Sequence, residues 1–504
     1  MKDNANAYQQ LHTHFNKIGE LENIAEIAYW DEATMMPEGS GETRGKSLAT
    51  LSGVIHELKT EQKIGDWLLE SEGDNSLDLW QKANVFEIRR IFDECSAIPV
   101  TLEEELEQRS FKSEQAWRNY RADNDWGSML PLLSSLVDLV REKAQVLGEL
   151  KSARPYDALL DQYEPGMTAE SIDKEFSKLK DFLPDFIEDV IEDQGRDKPE
   201  DLVGPFEIDK QRELGIQVMK SMGFNFEKGR LDVSHHPFCG GTPDDTRITT
   251  RYNEASFEES LMGVIHETGH ALYEQGLPVS WRNQPVGLAR SMAMHESQSL
   301  LMEMQACRSK EFLKFLTPSI QETFAGDNRR TSAWSMENIQ KLYLKVQRGF
   351  IRVDADEATY PMHIILRFEI ERDLINGDIE VKDIPELWNE KMLTYLGLNT
   401  DNNYRDGCLQ DVHWPSGLFG YFPSYTIGAM TAAQLFRTAT QSQSNILSAI
   451  GEGDFSPLVS WLNEHIHSRG SSASFDQLLI DASGETLNST HFIEHLKSRY
   501  LADL

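Results

Sequence analysis

The segment His266-Glu267-Thr268-Gly269-His270 constrains this chain of 504 residues more than any other. Residues four positions apart lie just over one turn apart on an α-helix, so both imidazoles leave the same face and can bind one ion. Glu267 then stands beside that ion, where its carboxylate can take a proton from a bound water. The segment therefore predicts a helix with a metal site, and the combination of ligands and base is typical of zinc hydrolases.

The flanking sequence predicts the helix that such a site needs. Ser256-Phe257-Glu258-Glu259 has the form of a capping box, and Gly276 followed by Pro278 predicts the end of the helix. Apolar residues recur between these limits, at Leu261, Val264, Ile265 and Leu272. A His-Glu-x-x-His also arises by chance in long chains, so the rest of the sequence must decide the interpretation.

A catalytic zinc ion takes three protein ligands and leaves a fourth position to water. A third histidine six residues after His270 is missing, because that position is Gly276, so a carboxylate further along is expected. Glu296, in His295-Glu296-Ser297-Gln298, is the candidate, and the apolar spacing from Ser297 to Cys307 suits a second helix packed on the first. With 83 acidic residues in the chain, a solvated surface carboxylate remains the alternative for Glu296.

The stretch from Gly229 to Tyr252 is rich in Gly, Pro, Thr and Ile, and it predicts a small sheet. Alternation from Thr246 to Tyr252 places Thr246 and Ile248 on one face and Arg247 on the other. Two interpretations stay open. One is a solvent-facing edge, and the other is a strand that lines a cleft, pairs with an extended substrate and offers Arg247 to a carboxylate.

Most of the remaining chain is predicted to be α-helical. Apolar residues from Leu11 to Ile24 recur at helical spacing, and the cluster from Pro37 to Gly41 interrupts the pattern. Thr101-Leu102-Glu103-Glu104 predicts another helix cap, and Pro165-Gly166 precedes a further helix. Because no linker, repeat or low-complexity tract is visible, residues 1–504 are expected to form one catalytic unit.

Composition limits the partners and the compartment. A formal net charge of -34 argues against nucleic acids and anionic membranes, which select basic surfaces. No apolar run is long enough to span a bilayer, and the stretch from Met1 to Asn6 leads directly into an amphipathic segment without a signal core. The four cysteines lack a Cys-x-x-Cys motif and are expected to be free thiols, with Cys239 and Cys408 as small buried residues. Together these features predict a cytoplasmic protein.

Several blocks of the sequence resemble the carboxypeptidase Taq family of metallocarboxypeptidases. They occur in the family's order, as His236-Pro237-Phe238, Asp245-Thr246-Arg247-Ile248-Thr249, His266 to His270, His295 to Gln298, Ile351-Arg352-Val353-Asp354-Ala355-Asp356, and Gly407-Cys408-Leu409-Gln410-Asp411-Val412-His413-Trp414. Similar stretches at Trp30-Asp31, Tyr163 to Thr168 and Gly420 to Tyr425 extend the resemblance over nearly the full length. One departure is Leu300, where the family is expected to have arginine. It concerns local packing or a salt bridge, not the metal ligands.

The resemblance implies a zinc carboxypeptidase that releases single C-terminal residues from peptides with broad specificity. The implied fold is mostly α-helical and similar to that of thimet oligopeptidase, with two lobes around a deep groove, a small sheet beside the zinc helix, and a homodimer. His266, His270 and Glu296 would hold zinc, for which cobalt or manganese could substitute. Glu267 would be the general base.

Cleavage at a free C-terminus also requires a fixed cation that matches a carboxylate, and arginine fits best. Arg352 is the first candidate and Arg247 the second, and His236 is a further candidate for substrate binding. A structural ion pair with a nearby acid is the alternative for Arg352, the possible partners being Asp354, Asp356 and Glu357. The candidates for stabilising the oxyanion, which could instead be parts of the cleft wall, are His413, Tyr421 and Tyr425.

Two other classes of protein remain open on the sequence. A zinc endo-oligopeptidase of the thimet type would share the helical body and the segment Glu296-Ser297-Gln298. It differs in whether a C-terminal amide blocks cleavage. A metal-binding protein without catalysis is the third class, and the presence of Glu267 beside the histidines argues against it.

Overall fold

The structure is a computed structural model that describes residues 6–501, so the start of the segment Met1 to Asn6 lies outside the described residues. The described chain is mostly α-helical with one small sheet, which confirms the predicted fold class. No helix within it is long and apolar enough to span a bilayer.

The α-helices are α1 Ala7–Thr34, α2 Gly41–Lys59, α3 Gln62–Glu72, α4 Leu79–Ala97, α5 Val100–Ala122, α6 Trp126–Lys151, α7 Pro155–Leu160, α8 Ala169–Gln194, α9 Ile208–Met222, α10 Glu258–Gly276, α11 Met292–Leu300, α12 Lys310–Ile320, α13 Met336–Tyr343, α14 Tyr360–Asn376, α15 Ile384–Leu396, α16 Pro423–Ser442, α17 Ile446–Ile450, α18 Ser456–His465, α19 Phe475–Ser483 and α20 Thr490–Tyr500. Two π-helical segments span Leu301–Ala306 and Gln321–Ala325. Short 3-10 turns span Glu38–Ser40, Val279–Trp281, Pro285–Gly287, Gly326–Asn328, Ser332–Trp334, Arg352–Asp354, Val381–Asp383 and His467–Arg469.

Helices α1 to α4 share a small hydrophobic core of their own. Leu11, Phe15 and Ile18 of α1 are buried against Ile64 of α3 and Ile88 of α4. A much larger core runs through the rest of the molecule, from α5 to α20. The separate N-terminal core is consistent with the two lobes that the resemblance implies, and the predicted break at Pro37 to Gly41 falls between α1 and α2.

Two of the predicted helix starts are wrong in detail. Helix α5 begins at Val100, one residue before Thr101. Its N-cap residue is Pro99, which has an extended backbone and forms no side-chain cap. Helix α10 begins after Phe257, and the Ser256 hydroxyl donates to the Glu258 carboxylate (3.0 Å) instead of capping an amide. By contrast, Thr168 and Ser171 form a true capping box at the start of α8, the helix expected after Pro165-Gly166.

The predicted small sheet has three strands, β1 Gly229–Val233, β2 Cys239–Thr242 and β3 Asp245–Thr250, in the order β1-β3-β2. Strand β3 pairs in parallel with β1 and antiparallel with β2, and Thr246, Ile248 and Thr250 are buried as the alternation predicts. Because both edges of β3 are already hydrogen-bonded, its predicted pairing with a substrate backbone is wrong. The sheet packs on α10, the helix of the histidine motif.

The predicted second helix also differs from the structure. Helix α11 starts at Met292, where the Ser291 hydroxyl accepts a hydrogen bond from the Met294 amide (3.1 Å), and it continues as the π-helical segment Leu301–Ala306. Glu296 therefore lies inside a helix and not before one. Helix α11 packs between α10 and α16, which fixes the direction of the Glu296 side chain.

Leu300, the departure from the family pattern, is buried at the end of α11. It lines a small cavity of about 20 Å³ together with Glu357 and Tyr360. The Glu357 carboxylate is almost completely buried and accepts hydrogen bonds from Arg499 (3.0 Å) and Tyr500 (3.1 Å) of α20. The C-terminal helix thus supplies the countercharge for a carboxylate that lies five residues after Arg352.

We expect Glu357→Gln to destabilise the fold by roughly 3 kcal/mol at neutral pH, because it leaves the nearly buried Arg499 without its anion. Although burial opposes it, Arg499 and His495 hold the pKa of Glu357 below its usual value of 4.5. A carboxyl group whose pKa is lowered in the folded protein stabilises the fold at pH values above its usual pKa. This stabilisation decreases as the pH falls below the usual pKa. The stability difference between wild type and variant, measured by urea unfolding, should therefore stay nearly constant from pH 7 to about pH 5 and shrink as the pH falls below 4.5. A pH-independent difference would contradict this.

Candidate metal centre and the cluster around Arg352

The structure brings the three predicted metal ligands together. His266 and His270 leave the same face of α10, and the Glu296 Oε2 atom lies 3.9 Å from His266 Nε2 and 3.3 Å from His270 Nε2. One potential ligand atom from each residue lies within 4.8 Å of the others. Ligands about 2 Å from one tetrahedral ion are roughly 3.3 Å apart, so only small adjustments are needed. Two imidazole nitrogens and a carboxylate oxygen are the donor set of catalytic zinc sites.

Both histidines are oriented by partners that the sequence analysis did not assign. The Nδ1 atom of His266 lies 3.0 Å from Glu303 Oε2, and Arg308 in turn donates to Glu303 (2.9 Å). The Nδ1 atom of His270 lies 2.6 Å from His295 Nδ1. Contacts of this kind fix the tautomer of a metal-binding histidine and leave its Nε2 lone pair for the ion.

The His270 contact extends into a chain of hydrogen bonds. Only one of two facing Nδ1 atoms can carry the proton, so His270 donates to His295 when it binds an ion through Nε2. His295 Nε2 then donates to Glu274 Oε1, at 2.8 Å. Glu274 lies four residues after His270 on the same face of α10, a spacing that was visible in the sequence. Glu303 had no comparable signal, because the π-helical turn that directs it towards His266 is not apparent from the sequence.

Carboxylates dominate the electrostatics of this centre. Burial raises the pKa of Glu267 to about 7, and the side chain stands next to His266 on α10. Burial alone would lower the pKa of His266, but the negative charges of Glu296 and Glu303 raise it to about 10. For Glu296, burial would raise the pKa, but His266 and His270 lower it to about 2. The site therefore favours positive charge between its ligands, as a metal centre must.

Arg352 lies in a buried cluster and is 7% exposed. Its Nε donates to Asp411 Oδ1 (2.9 Å) and its Nη1 to the Tyr360 hydroxyl (3.1 Å). Asp411 also accepts from Arg367 Nε (2.7 Å), so one carboxylate serves two arginines and the group keeps a net positive charge. Arg352 does form a buried ion pair, but the predicted partners Asp354, Asp356 and Glu357 are wrong, because the acid is Asp411, which is distant in sequence and close only in the fold.

His413, Tyr421 and Tyr425 join this cluster. His413 Nε2 lies 3.2 Å from the Tyr425 hydroxyl, and the Arg352 guanidinium lies 5.0 Å from the centre of the Tyr425 ring. Burial raises the pKa of Tyr425 to about 12 and, with Arg352, lowers that of His413 to about 4. At neutral pH the tyrosine is protonated and the histidine is neutral. Tyr425 lies near the metal ligands, because its helix α16 packs on α11 and Gly428, one turn further along, lies against the Glu296 side chain. The Tyr421 ring is 5.3 Å from that of Tyr425.

A buried carboxylate that the sequence analysis missed holds the loop between these residues. Glu371 of α14 accepts hydrogen bonds from Trp414 Nε1 (2.8 Å) and from the Gly420 amide (2.6 Å). Trp414 follows His413 directly, and Gly420 precedes Tyr421. Glu371 thus fixes both ends of the segment that separates His413 from Tyr421.

Arg247 and His236 are placed differently. The Arg247 guanidinium pairs with Asp245 (2.6 Å) and lies 4.4 Å from the Trp30 ring of α1. These contacts do not include the residues that surround Arg352. His236 is exposed, but its neighbour Pro237 packs over Gly263, one helical turn before His266. The His236 segment therefore borders the metal helix. The four cysteines are unpaired, with Cys408 buried and Cys239 half-buried.

Known proteins resemble the whole chain. The family model for "Carboxypeptidase Taq (M32) metallopeptidase" matches residues 10–500. "Thermostable carboxypeptidase 1" of Thermus thermophilus is 37% identical over 98% of both chains. Among solved structures, "Trypanosoma Cruzi Metallocarboxypeptidase 1" superposes with a TM-score of 0.95 at 41% identity, covering 98% of this chain and 99% of the other.

A carboxypeptidase from Pyrococcus furiosus also superposes closely, with a TM-score of 0.93 at 30% identity, over 98% of this chain and 99% of that one. The match therefore extends well beyond the motifs around the metal ligands and includes nearly every helix described above. It supports a carboxypeptidase and not the thimet-type endo-oligopeptidase. By the extent of the family match and by identity over its full length, the chain belongs to the carboxypeptidase Taq (M32) family of metallopeptidases.

Proposed function

We propose that this metallocarboxypeptidase uses zinc to hydrolyse the last peptide bond of peptides that have a free C-terminus. The observation that carries the proposal is the position of the Arg352 cluster. A buried group with net positive charge lies beside Tyr425 of α16, and one turn further along the same helix Gly428 packs against the Glu296 side chain. A substrate carboxylate bound there would balance that charge and leave the terminal peptide bond near the ion.

The roles of the residues follow from this placement. His266, His270 and Glu296 would hold the zinc ion, which supplies Lewis acidity and makes a bound water more acidic when it is present. Glu267 accepts the proton of the attacking water and passes it to the leaving amine. His413, Tyr421 and Tyr425 are the candidates for donating hydrogen bonds to the oxyanion, and the high pKa of Tyr425 keeps its donor proton in place.

Arg352 is the proposed anchor for the substrate carboxylate. Its guanidinium is fixed by Asp411 and Tyr360, so little conformational freedom remains to be lost when a carboxylate binds. Arg367 pairs with the second carboxylate oxygen of Asp411 and adds a second positive charge to the cluster. Arg247 and His236 are proposed only as contacts to more distant parts of a peptide, because Arg247 is engaged by Asp245 and Trp30.

Other properties belong to the same proposal. Residues 1–504 would act as one catalytic unit with broad specificity for the C-terminal residue, and the site could also bind cobalt or manganese in place of zinc. Four free thiols agree with a reducing, cytoplasmic location. We also propose a homodimer, which light scattering coupled to size-exclusion chromatography tests. Metal analysis of protein purified without added metal tests the identity of the ion.

Glu267→Gln should keep stoichiometric zinc and lose roughly 10²- to 10⁴-fold in kcat, because the general base is removed and the ligands are not. Metal content by mass spectrometry and kcat on one peptide are the measurements. A variant with wild-type turnover would show that Glu267 is not the base.

His266→Ala, His270→Ala and Glu296→Ala should each lose zinc, because each removes one of three protein ligands. Glu303→Gln is a control in which only a partial loss of zinc affinity is expected. It keeps the shape of the side chain that orients His266 and should weaken zinc binding only about 10- to 100-fold. Zinc affinity is measured by competition with a chelator. Unchanged affinity in Glu296→Ala would mean that another residue is the third ligand.

Arg352→Ala should lower kcat/KM for a free-acid peptide roughly 30-fold to several-thousand-fold, which corresponds to about 2 to 5 kcal/mol for a buried charge pair. Cleavage of the same peptide as its C-terminal amide should change little. Arg352→Lys should recover part of the activity, since lysine restores the charge and not the two-pronged geometry.

Arg247→Ala is the matched control for the loss of a guanidinium and should leave the preference for the free acid intact. Zinc content and circular dichroism of each variant check that the metal centre and the fold are retained. If Arg352→Ala kept the preference for the free acid while Arg247→Ala lost it, the anchor would be Arg247.

A further inference from the structure

Helix α11, which carries Glu296, crosses its two neighbours at glycines. On one side is Gly269 of α10, between the two histidines of the motif. A Cβ atom at Gly269 would lie 2.5 Å from the Gln298 carbonyl oxygen and 2.6 Å from Ser299 Cα. These are backbone atoms of α11 and cannot move aside individually, so the close approach of the two helices requires a residue without a side chain.

On the other side of α11 is Gly428 of α16. A Cβ atom there would lie 2.8 Å from Glu296 Cγ and 2.9 Å from Glu296 Cβ, while the nearest backbone atom, the Ala293 carbonyl oxygen, would be 3.3 Å away. Glycine inside a helix costs about 1 kcal/mol relative to alanine. The backbone of Gly428 has no positive φ that would call for glycine, so the space taken by the Glu296 stem accounts for it.

We propose that Gly428 is a positioning residue for the metal centre, because it holds open the space in which the Glu296 side chain extends towards the two histidines. The inference rests on the proposed role of Glu296 as a zinc ligand. With a methyl group at position 428, the Glu296 stem would have to move from 2.8 Å to an ordinary contact of 3.4 Å or more. Metal sites tolerate errors of only about 0.2 Å in ligand distance, so a displacement of this size weakens the site.

Gly428 lies three residues after Tyr425 on α16, so a shift of the whole helix would also displace that tyrosine. The two effects are separable by measurement. A displaced Glu296 weakens metal binding, whereas a displaced Tyr425 lowers turnover at saturating metal and leaves the affinity for the ion unchanged.

The first experiment compares Gly428→Ala with Gly53→Ala. Gly53 is also inside a helix, α2, but a Cβ atom there would meet nothing within 4 Å. Zinc dissociation constants are measured by chelator competition, and the visible spectrum of the cobalt-loaded protein reports the ligand geometry. We expect about 10- to 100-fold weaker zinc binding and an altered cobalt spectrum in Gly428→Ala, and no change in Gly53→Ala. Wild-type affinity in Gly428→Ala, with only kcat reduced, would overturn the inference.

A double-mutant cycle on the metal-free proteins keeps the inference testable if Gly428→Ala folds poorly. In a Glu296→Gly background, both stem atoms that the new methyl group would meet are gone, so most of the loss in unfolding midpoint caused by Gly428→Ala should disappear. Gly269→Ala is the matched comparison, since it meets backbone atoms and should be equally harmful in both backgrounds. An equal loss for Gly428→Ala in both backgrounds, or failure to fold in both, would overturn the inference.

The outcomes also separate this inference from the proposed function. If Glu296→Ala leaves zinc binding unchanged, the proposed ligand set fails. If Glu296→Ala weakens zinc binding and Gly428→Ala does not, only the positioning role of Gly428 fails.

Discussion

The close crossing of α10 and α11 is the contact on which the site depends. A carboxylate from α11 reaches within 3.9 Å of two imidazoles on α10 only because the helices meet at Gly269, without an intervening side chain. Helix α16 closes the other side of α11 and brings Tyr425 with it. The sheet and the large hydrophobic core support this three-helix arrangement, so the positions of the three proposed ligands are set by backbone packing.

Helix α16 connects two groups of opposite charge, since its Tyr425 lies against Arg352 and its Gly428 against Glu296. Glu296 and Glu303 place negative charge around the two histidines, whereas Arg352 and Arg367 share a single carboxylate, Asp411. A cation would balance the first group and an anion the second. In the proposed function, a peptide with a free C-terminus would provide the anion and place its last carbonyl group between the two groups, and a peptide with a blocked terminus would not.

The sequence predicted much of this arrangement because the signals were local. The helix of His266 and His270, the small sheet and a second helix with Glu296 all follow from spacing within short segments. The parts that differed depend on tertiary neighbours. Strand β3 is central because β1 and β2 flank it, and the acidic partner of Arg352 is Asp411, which lies 59 residues further along the chain. Likewise, Glu303 lies on the π-helical segment Leu301–Ala306, where the apolar spacing had predicted an ordinary helix.

The central claim is that the metal centre and the Arg352 cluster act together on a free C-terminus. The most direct test is mass spectrometry over time of one peptide, offered to the zinc-loaded protein as its free acid and as its amide. The account predicts a ladder of single-residue losses from the C-terminus of the free acid and little cleavage of the amide. Internal fragments, or equal cleavage of both forms, would contradict it.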